Sequence, residues 1–211
     1  MNRIIPALLT DKKEELLVML KTCSQFCDYV QIDIMDGEFV PSGSITISGL
    51  EGLKLAIRSE AHLMVSNPLE WLEPFKKAGT EKIIYHFEIQ KDHLEIIAKI
   101  REAGMSVGLA INPPTVIEEI EYLVDKVDTV LFLSVNPGFY GACFISQVLE
   151  KIKAFKAKHP DKKVSIDGGI KLNNALSAKN AGADDICVGS AILKNKGPKQ
   201  AYLEFLNLLN G

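Results

Sequence analysis

The stretch Tyr29-Val30-Gln31-Ile32-Asp33-Ile34-Met35-Asp36-Gly37 is an apolar run with a carboxylate inside it, closed by a dipeptide that favours a turn. Val164-Ser165-Ile166-Asp167-Gly168-Gly169 repeats that layout late in the chain. Leu133-Ser134-Val135-Asn136-Pro137-Gly138 follows the same plan, and Gly189-Ser190 stands after one more apolar run. Polar residues and glycines therefore gather where buried strands end.

Working outward, apolar runs at 4–9, 29–35, 61–65, 82–86, 106–110, 129–134, 163–166 and 185–188 read as strands. Helical patterning fills the gaps. Leu16, Leu17 and Leu20 repeat at helical spacing behind Thr10 or Asp11 as a cap, and further helices are expected at 46–57, 68–78, 91–103, 114–123, 144–158, 171–180 and 198–209. The pairs Ala78-Gly79, Ala103-Gly104 and Ala181-Gly182 each fall at a helix end before a strand, where glycine accepts a left-handed cap. Eight strands, each followed by a helix, predict an α/β protein of the (β/α)8 TIM-barrel type. A doubly wound open sheet is the competing reading. Barrels of this kind take about 250 residues, so one built from 211 must be trimmed. Short connections and the lack of a compositional break predict one barrel domain over residues 1–211.

Bulk composition narrows the function classes. A hydrophobic fraction of 47% supplies a large core, and a net charge of −3 gives no pull towards nucleic acid or an anionic membrane. Cys23, Cys27, Cys143 and Cys187 lack a zinc-type spacing and read as reduced thiols. With no secretory leader or membrane-length apolar segment recognised, a cytoplasmic protein is expected. No P-loop, dinucleotide fingerprint, zinc-protease histidine pair or nucleophile elbow is present.

In a barrel, the carboxyl-terminal strand ends meet at one face, where active sites are built. Asp33 and Asp167 would stand there on strands two and seven, and a buried carboxylate is costly unless paired, hydrogen-bonded or metal-bound. Asp36 reads as an ordinary Asp-Gly turn residue. His62, in Ala61-His62-Leu63-Met64, becomes a candidate metal ligand beside two carboxylates. His86 is expected to brace the site from the next strand, while His93 and His159 are expected at the surface. Gly138, Gly168, Gly169, Gly189 and Ser190 lie in the loops after strands six, seven and eight. Their exposed peptide N–H groups, with a short helix after strand eight, predict a phosphate grip needing no lysine.

These residues carry a family resemblance over nearly the whole chain. The stretches 32–41, Ala61-His62-Leu63-Met64-Val65, Gly108-Leu109-Ala110-Ile111-Asn112-Pro113, Val135-Asn136-Pro137-Gly138-Phe139, Ile166-Asp167-Gly168-Gly169-Ile170 and Val188-Gly189-Ser190-Ala191-Ile192 together resemble the ribulose-phosphate 3-epimerases. The resemblance implies an enzyme that inverts C3 of a ketopentose 5-phosphate, with Asp33 and Asp167 as the acid/base pair on opposite faces of an enediolate. It implies a divalent cation (Zn, Mn, Fe or Co) held by these aspartates and two histidines, and a homo-oligomer. Met35 and Met64 match residues around the sugar.

The departures fall in the pocket. Gln31 stands where the family has its other histidine, so the implied metal set is Asp33, His62, Asp167 and Gln31, whose neutral amide is a poorer ligand. Ala7 replaces a serine, Leu133 a methionine, and Tyr140 and Ala142 a glycine and a glutamine; the loop after Pro41 is altered as well. Three readings stay open: a weakly metallated or metal-independent epimerase, an epimerase of another ketose phosphate with a pocket reshaped by Tyr140, and a non-catalytic phosphosugar-binding protein. Barrel decarboxylases and phosphohexulose synthases of the Asp-x-Lys-x-x-Asp type fit less well, because Asp33-Ile34-Met35-Asp36 holds no lysine.

Overall fold

Strand periodicity sorts the side chains of this chain into two separate interiors. In the computed structural model, which describes residues 2–138 and 143–210, eight strands run parallel: β1 (Arg3–Leu8), β2 (Tyr29–Met35), β3 (Arg58–Met64), β4 (Lys82–His86), β5 (Ser106–Ile111), β6 (Thr129–Leu133), β7 (Lys163–Asp167) and β8 (Asp185–Val188). Each pairs with the next, and β8 pairs with β1, closing a barrel. All of β2 is buried, but its two faces differ. Val30, Ile32 and Ile34 join the large apolar layer between sheet and helices. Tyr29, Gln31, Asp33 and Met35, two residues apart, occupy the other face and point into the barrel.

The helices are α1 (Lys13–Cys23), α2 (Ile47–Leu50), α3 (Leu72–Ala78), α4 (His93–Glu102), α5 (Ile117–Val124), α6 (Gln147–Lys158), α7 (Leu172–Ala181), α8 (Ser190–Leu193) and α9 (Pro198–Asn210), with a 3-10 turn at Pro68–Trp71. Gly79, Gly104 and Gly182 all have positive φ, as the Ala-Gly pairs predict. None of the described helices is long and apolar enough to cross a membrane.

Three expectations need correction. The helix predicted over 46–57 shrinks to α2, because the backbone leaves helical geometry at Glu51 (ψ 131°) and turns through Gly52, whose φ of 70° is left-handed. Strand β3 starts at Arg58, before the expected 61, where Arg58 pairs with Tyr29 across the sheet. Neither Thr10 nor Asp11 caps α1. Lys12 holds the cap position without a side-chain capping bond, while the Thr10 hydroxyl accepts from the Lys12 backbone N–H and donates to Glu15.

The amino-terminal end of the barrel interior is charged. The Lys82 ammonium donates to Glu60 Oε2 at 2.8 Å, both residues being buried. Arg3 and Lys163 each reach Asp185 at 2.8 Å, and the Arg3 guanidinium stacks 4.0 Å over the Tyr29 ring. This polar floor leaves the opposite end of the interior to the conspicuous residues of β2, β3 and β7.

Candidate active site

Register brings the polar residues together. Asp33 pairs with His62 between β2 and β3, Ala7 with Gln31 between β1 and β2, and Leu133 with Asp167 between β6 and β7. A cavity of about 200 Å³ opens at the carboxyl-terminal ends of the strands. Asp33, His62 and Asp167 form its base, with Ala7, Met35, Met64 and Leu133 on its walls. Gly138, Gly168, Gly169, Gly189 and Ser190 line the same cavity, so the predicted phosphate grip and acid/base pair share one volume.

At the base, Gln31 is fully buried and its Nε2 donates to Asp33 Oδ1 at 2.8 Å and to Asp167 Oδ2 at 2.7 Å. His62 Nδ1 lies 3.2 Å from Asp33 Oδ1 and 3.3 Å from Asp167 Oδ2. Two carboxylates thus face one amide and one imidazole. Burial, reinforced by the charge of Asp167, pushes Asp33 up to about 6, against the hydrogen bonds from His62 and Gln31. Burial alone would lower His62, but its bonds to Asp167 and Asp33 outweigh it and lift the imidazole to about 9.

Behind His62 runs a polar chain. His62 Nε2 meets His86 Nε2 at 2.9 Å, and His86 Nδ1 meets Glu88 Oε2 at 3.2 Å. Glu88 in turn accepts from the backbone N–H of Asn112 at 2.7 Å and from the Thr115 hydroxyl. Hydrogen bonding orients the rings. A carboxylate only accepts, so His86 carries its proton on Nδ1 and offers the Nε2 lone pair to His62 Nε2–H. His62 therefore aims Nδ1 at the carboxylates. Burial is the main reason that His86 is held below its ordinary range.

Asp33, His62 and Asp167 offer ligand atoms that all lie within 4.8 Å of one another. Nearest ligand separations of 3.2 and 3.3 Å suit a transition-metal ion bound at about 2.0–2.1 Å in a three-ligand set. Gln31 does not complete that set as it stands. Its amide nitrogen has no free lone pair, and its oxygen faces away, accepting from Cys187 Sγ at 3.2 Å.

Other expected residues fall into place or move. His86 does not line the cavity; it supports His62 from behind. Asp36 is a loop brace, accepting from the amides of Glu38, Phe39 and Ser66 and from the Ser66 hydroxyl. Neither His93 nor His159 is fully exposed: His93 stacks on Phe87 with centroids 5.0 Å apart, and His159 lies tilted against Phe155 at 4.8 Å. Tyr140 and Ala142 lie outside the described residues. Sequence reasoning missed Cys187, Glu88 and Lys171. Lys171 lines the cavity beside the glycines of the predicted phosphate grip. Its position just after the Gly168-Gly169-Ile170 turn was the available signal.

Comparison with known proteins adds the chain's relatives. The model of the "Ribulose-phosphate 3 epimerase family" matches residues 3–193. The chain is 36% identical over 171 residues to "Ribulose-phosphate 3-epimerase, cytoplasmic isoform" of Oryza sativa subsp. japonica, covering 78% of this chain and 75% of that one. It is 33% identical over 207 residues to the ribulose-phosphate 3-epimerase of Schizosaccharomyces pombe, covering 94% and 90%. Among solved structures, 3-hexulose-6-phosphate synthase from Salmonella typhimurium superposes with a TM-score of 0.71 at 18% identity, over 98% of each chain, and shares the barrel.

Proposed function

This chain belongs to the ribulose-phosphate 3-epimerase family, and we propose that it interconverts D-ribulose 5-phosphate and D-xylulose 5-phosphate by proton transfer at C3. The observation that carries this reading is the pair Asp33 and Asp167. They come from strands on different sides of one cavity, and share the same two donors, Gln31 and His62. A ketose seated above that base with its phosphate at Gly168, Gly169, Gly189 and Ser190 would present C3 between the two carboxylates. One takes the C3 proton from one face, leaving an enediolate, and the other returns a proton to the opposite face. His62 and Gln31 hold the carboxylates in register, and Met35, Met64 and Leu133 wall the sugar from water.

Asp33, His62 and Asp167 are the residues that would hold a divalent cation. When bound, such an ion polarises the substrate oxygens and stabilises charge developing on them. A cytoplasmic setting belongs to the same reading, supported by four free thiols and by the name of the Oryza relative.

The test is deuterium incorporation at C3 of ribulose 5-phosphate in heavy water, alongside a panel of other ketose phosphates. Asp33→Asn and Asp167→Asn should each lower epimerisation, read as xylulose 5-phosphate formed, by about 10²–10⁴-fold. Exchange confined to another ketose phosphate would reassign the substrate, consistent with Ala7 and Leu133 on the cavity wall. Binding without exchange across the panel would identify a non-catalytic phosphosugar-binding protein.

A further inference from the structure

We propose that Gln31 is a positioning residue that takes over part of a cation's work. Its amide bridges Asp33 and Asp167, so proton transfer in this chain does not depend on a tightly held divalent ion. The inference rests on the epimerase reading for its activity consequence, but not for its binding consequence.

The geometry of one amide carries the argument. Two carboxylates that converge on a substrate repel each other and need positive partners between them. Gln31 Nε2 lies 2.8 Å from one and 2.7 Å from the other, and an NH2 group has one hydrogen for each. His62 Nδ1 spans the same two oxygens from the neighbouring strand. The amide thus sits within hydrogen-bond distance of the carboxylate oxygens that a cation would use.

Cys187 fixes the sense of the amide. Its buried thiol donates to Gln31 Oε1 at 3.2 Å, from β8 on the far side of the side chain. For Gln31 to serve as a ligand, the amide must turn over. That breaks both bonds to the carboxylates, removes the acceptor from the thiol, and leaves the NH2 group facing sulfur, a weak acceptor. Gln31 itself is completely buried, so water does not reach its amide to replace the bonds that the turn breaks there. Metal binding must therefore displace a satisfied network rather than fill a gap.

Two substitutions separate this role from mere packing. Gln31→Glu keeps the shape of the side chain and exchanges the donor for a third carboxylate. Gln31→His restores an imidazole ligand. Mn2+ titration of chelator-treated protein, followed by the loss of the free Mn2+ electron paramagnetic resonance signal, reads affinity without any substrate. Both variants should bind Mn2+ about tenfold or more tighter than wild type. In the C3 exchange assay, wild type should work equally well before and after chelation, whereas Gln31→Glu should need added Mn2+. Equal Mn2+ affinity in all three proteins would overturn the proposal. So would wild-type exchange that disappears on chelation and returns with Mn2+. Absence of exchange from every protein in every metal state would instead remove the epimerase reading, and the titration alone would then decide whether the amide competes with the ion.

Discussion

Replacing Gly168 by alanine tests whether the turn after Asp167 positions the site. Gly168 has a φ of 107°, a left-handed conformation that costs an L-residue about 1–2 kcal/mol. An added Cβ would stand 2.6 and 3.0 Å from the two γ-methyls of Val135 and 3.1 Å from its backbone nitrogen. Val135 is buried, and contacts to both methyls and the backbone cannot all be relieved by one rotation. Nor can the glycine retreat freely, because its carbonyl accepts from the Ser134 hydroxyl at 2.6 Å. Overpacking of this kind adds about 1–3 kcal/mol. A total near 3 kcal/mol corresponds to a melting temperature lowered by about 6–12 °C in a chain of this length. Gly189→Ala is the companion. Gly189 has a negative φ, and its Cβ would meet only the Ala7 carbonyl oxygen at 3.3 Å and the Ala7 Cβ at 3.9 Å. That variant should melt within a few degrees of wild type (about 1 kcal/mol or less) yet raise KM for a phosphorylated ketose, because the methyl enters the cavity. Differential scanning calorimetry with steady-state kinetics on both proteins decides the matter. A Gly168→Ala protein that melts with wild type would show that the turn is not the rigid support described above.

Two further outcomes concern the charged floor. Lys82→Met strips the buried Glu60 carboxylate of its cation and should lower stability by about 3–5 kcal/mol in urea unfolding; adding Glu60→Leu should recover most of that loss. At Asp185, burial pushes the pKa upward, but Arg3 and Lys163 more than offset it and hold the carboxyl below its ordinary range. The folded pKa lies below the unfolded value of about 3.9, so this stabilisation is complete above that pH and fades as pH falls through the folded pKa. Asp185→Asn should accordingly flatten the acid limb of a stability-against-pH curve below about pH 4 and lower stability at neutral pH.

The barrel was legible because its code is local and repeated. Each strand is a short apolar run, each Ala-Gly pair closes a helix with a left-handed glycine, and eight repeats suffice to close the sheet. The helix expected at 46–57 misled for an equally local reason. Its apolar residues do meet the core, but Ile47 and Leu50 do so from the single turn of α2 and Leu53 from the loop after it, rather than all along one helical face. Periodicity records which side chains are buried and not always the backbone that buries them.

Asp33, His62 and Asp167 were legible for a different reason: charged or polar groups inside apolar strands cost too much to be incidental. Their partners were not, because partnership depends on register between strands far apart in the chain. Gln31 read as a lost ligand when set against the family pattern, and only the closed barrel shows Cys187 of β8 across from it. That pairing changes the meaning of the substitution. A histidine at position 31 would offer one lone pair to an ion, whereas a glutamine offers two hydrogens to two carboxylates and an oxygen to a thiol. The surrounding groups satisfy all three. A side chain merely tolerated after the loss of a ligand would leave at least one buried polar atom unpartnered, as Glu60 Oε1 and Ser165 Oγ are lower in the same barrel. Gln31 leaves none, so the amide is fitted to this cavity base, and the carboxylates are held together by bonds that this chain itself supplies.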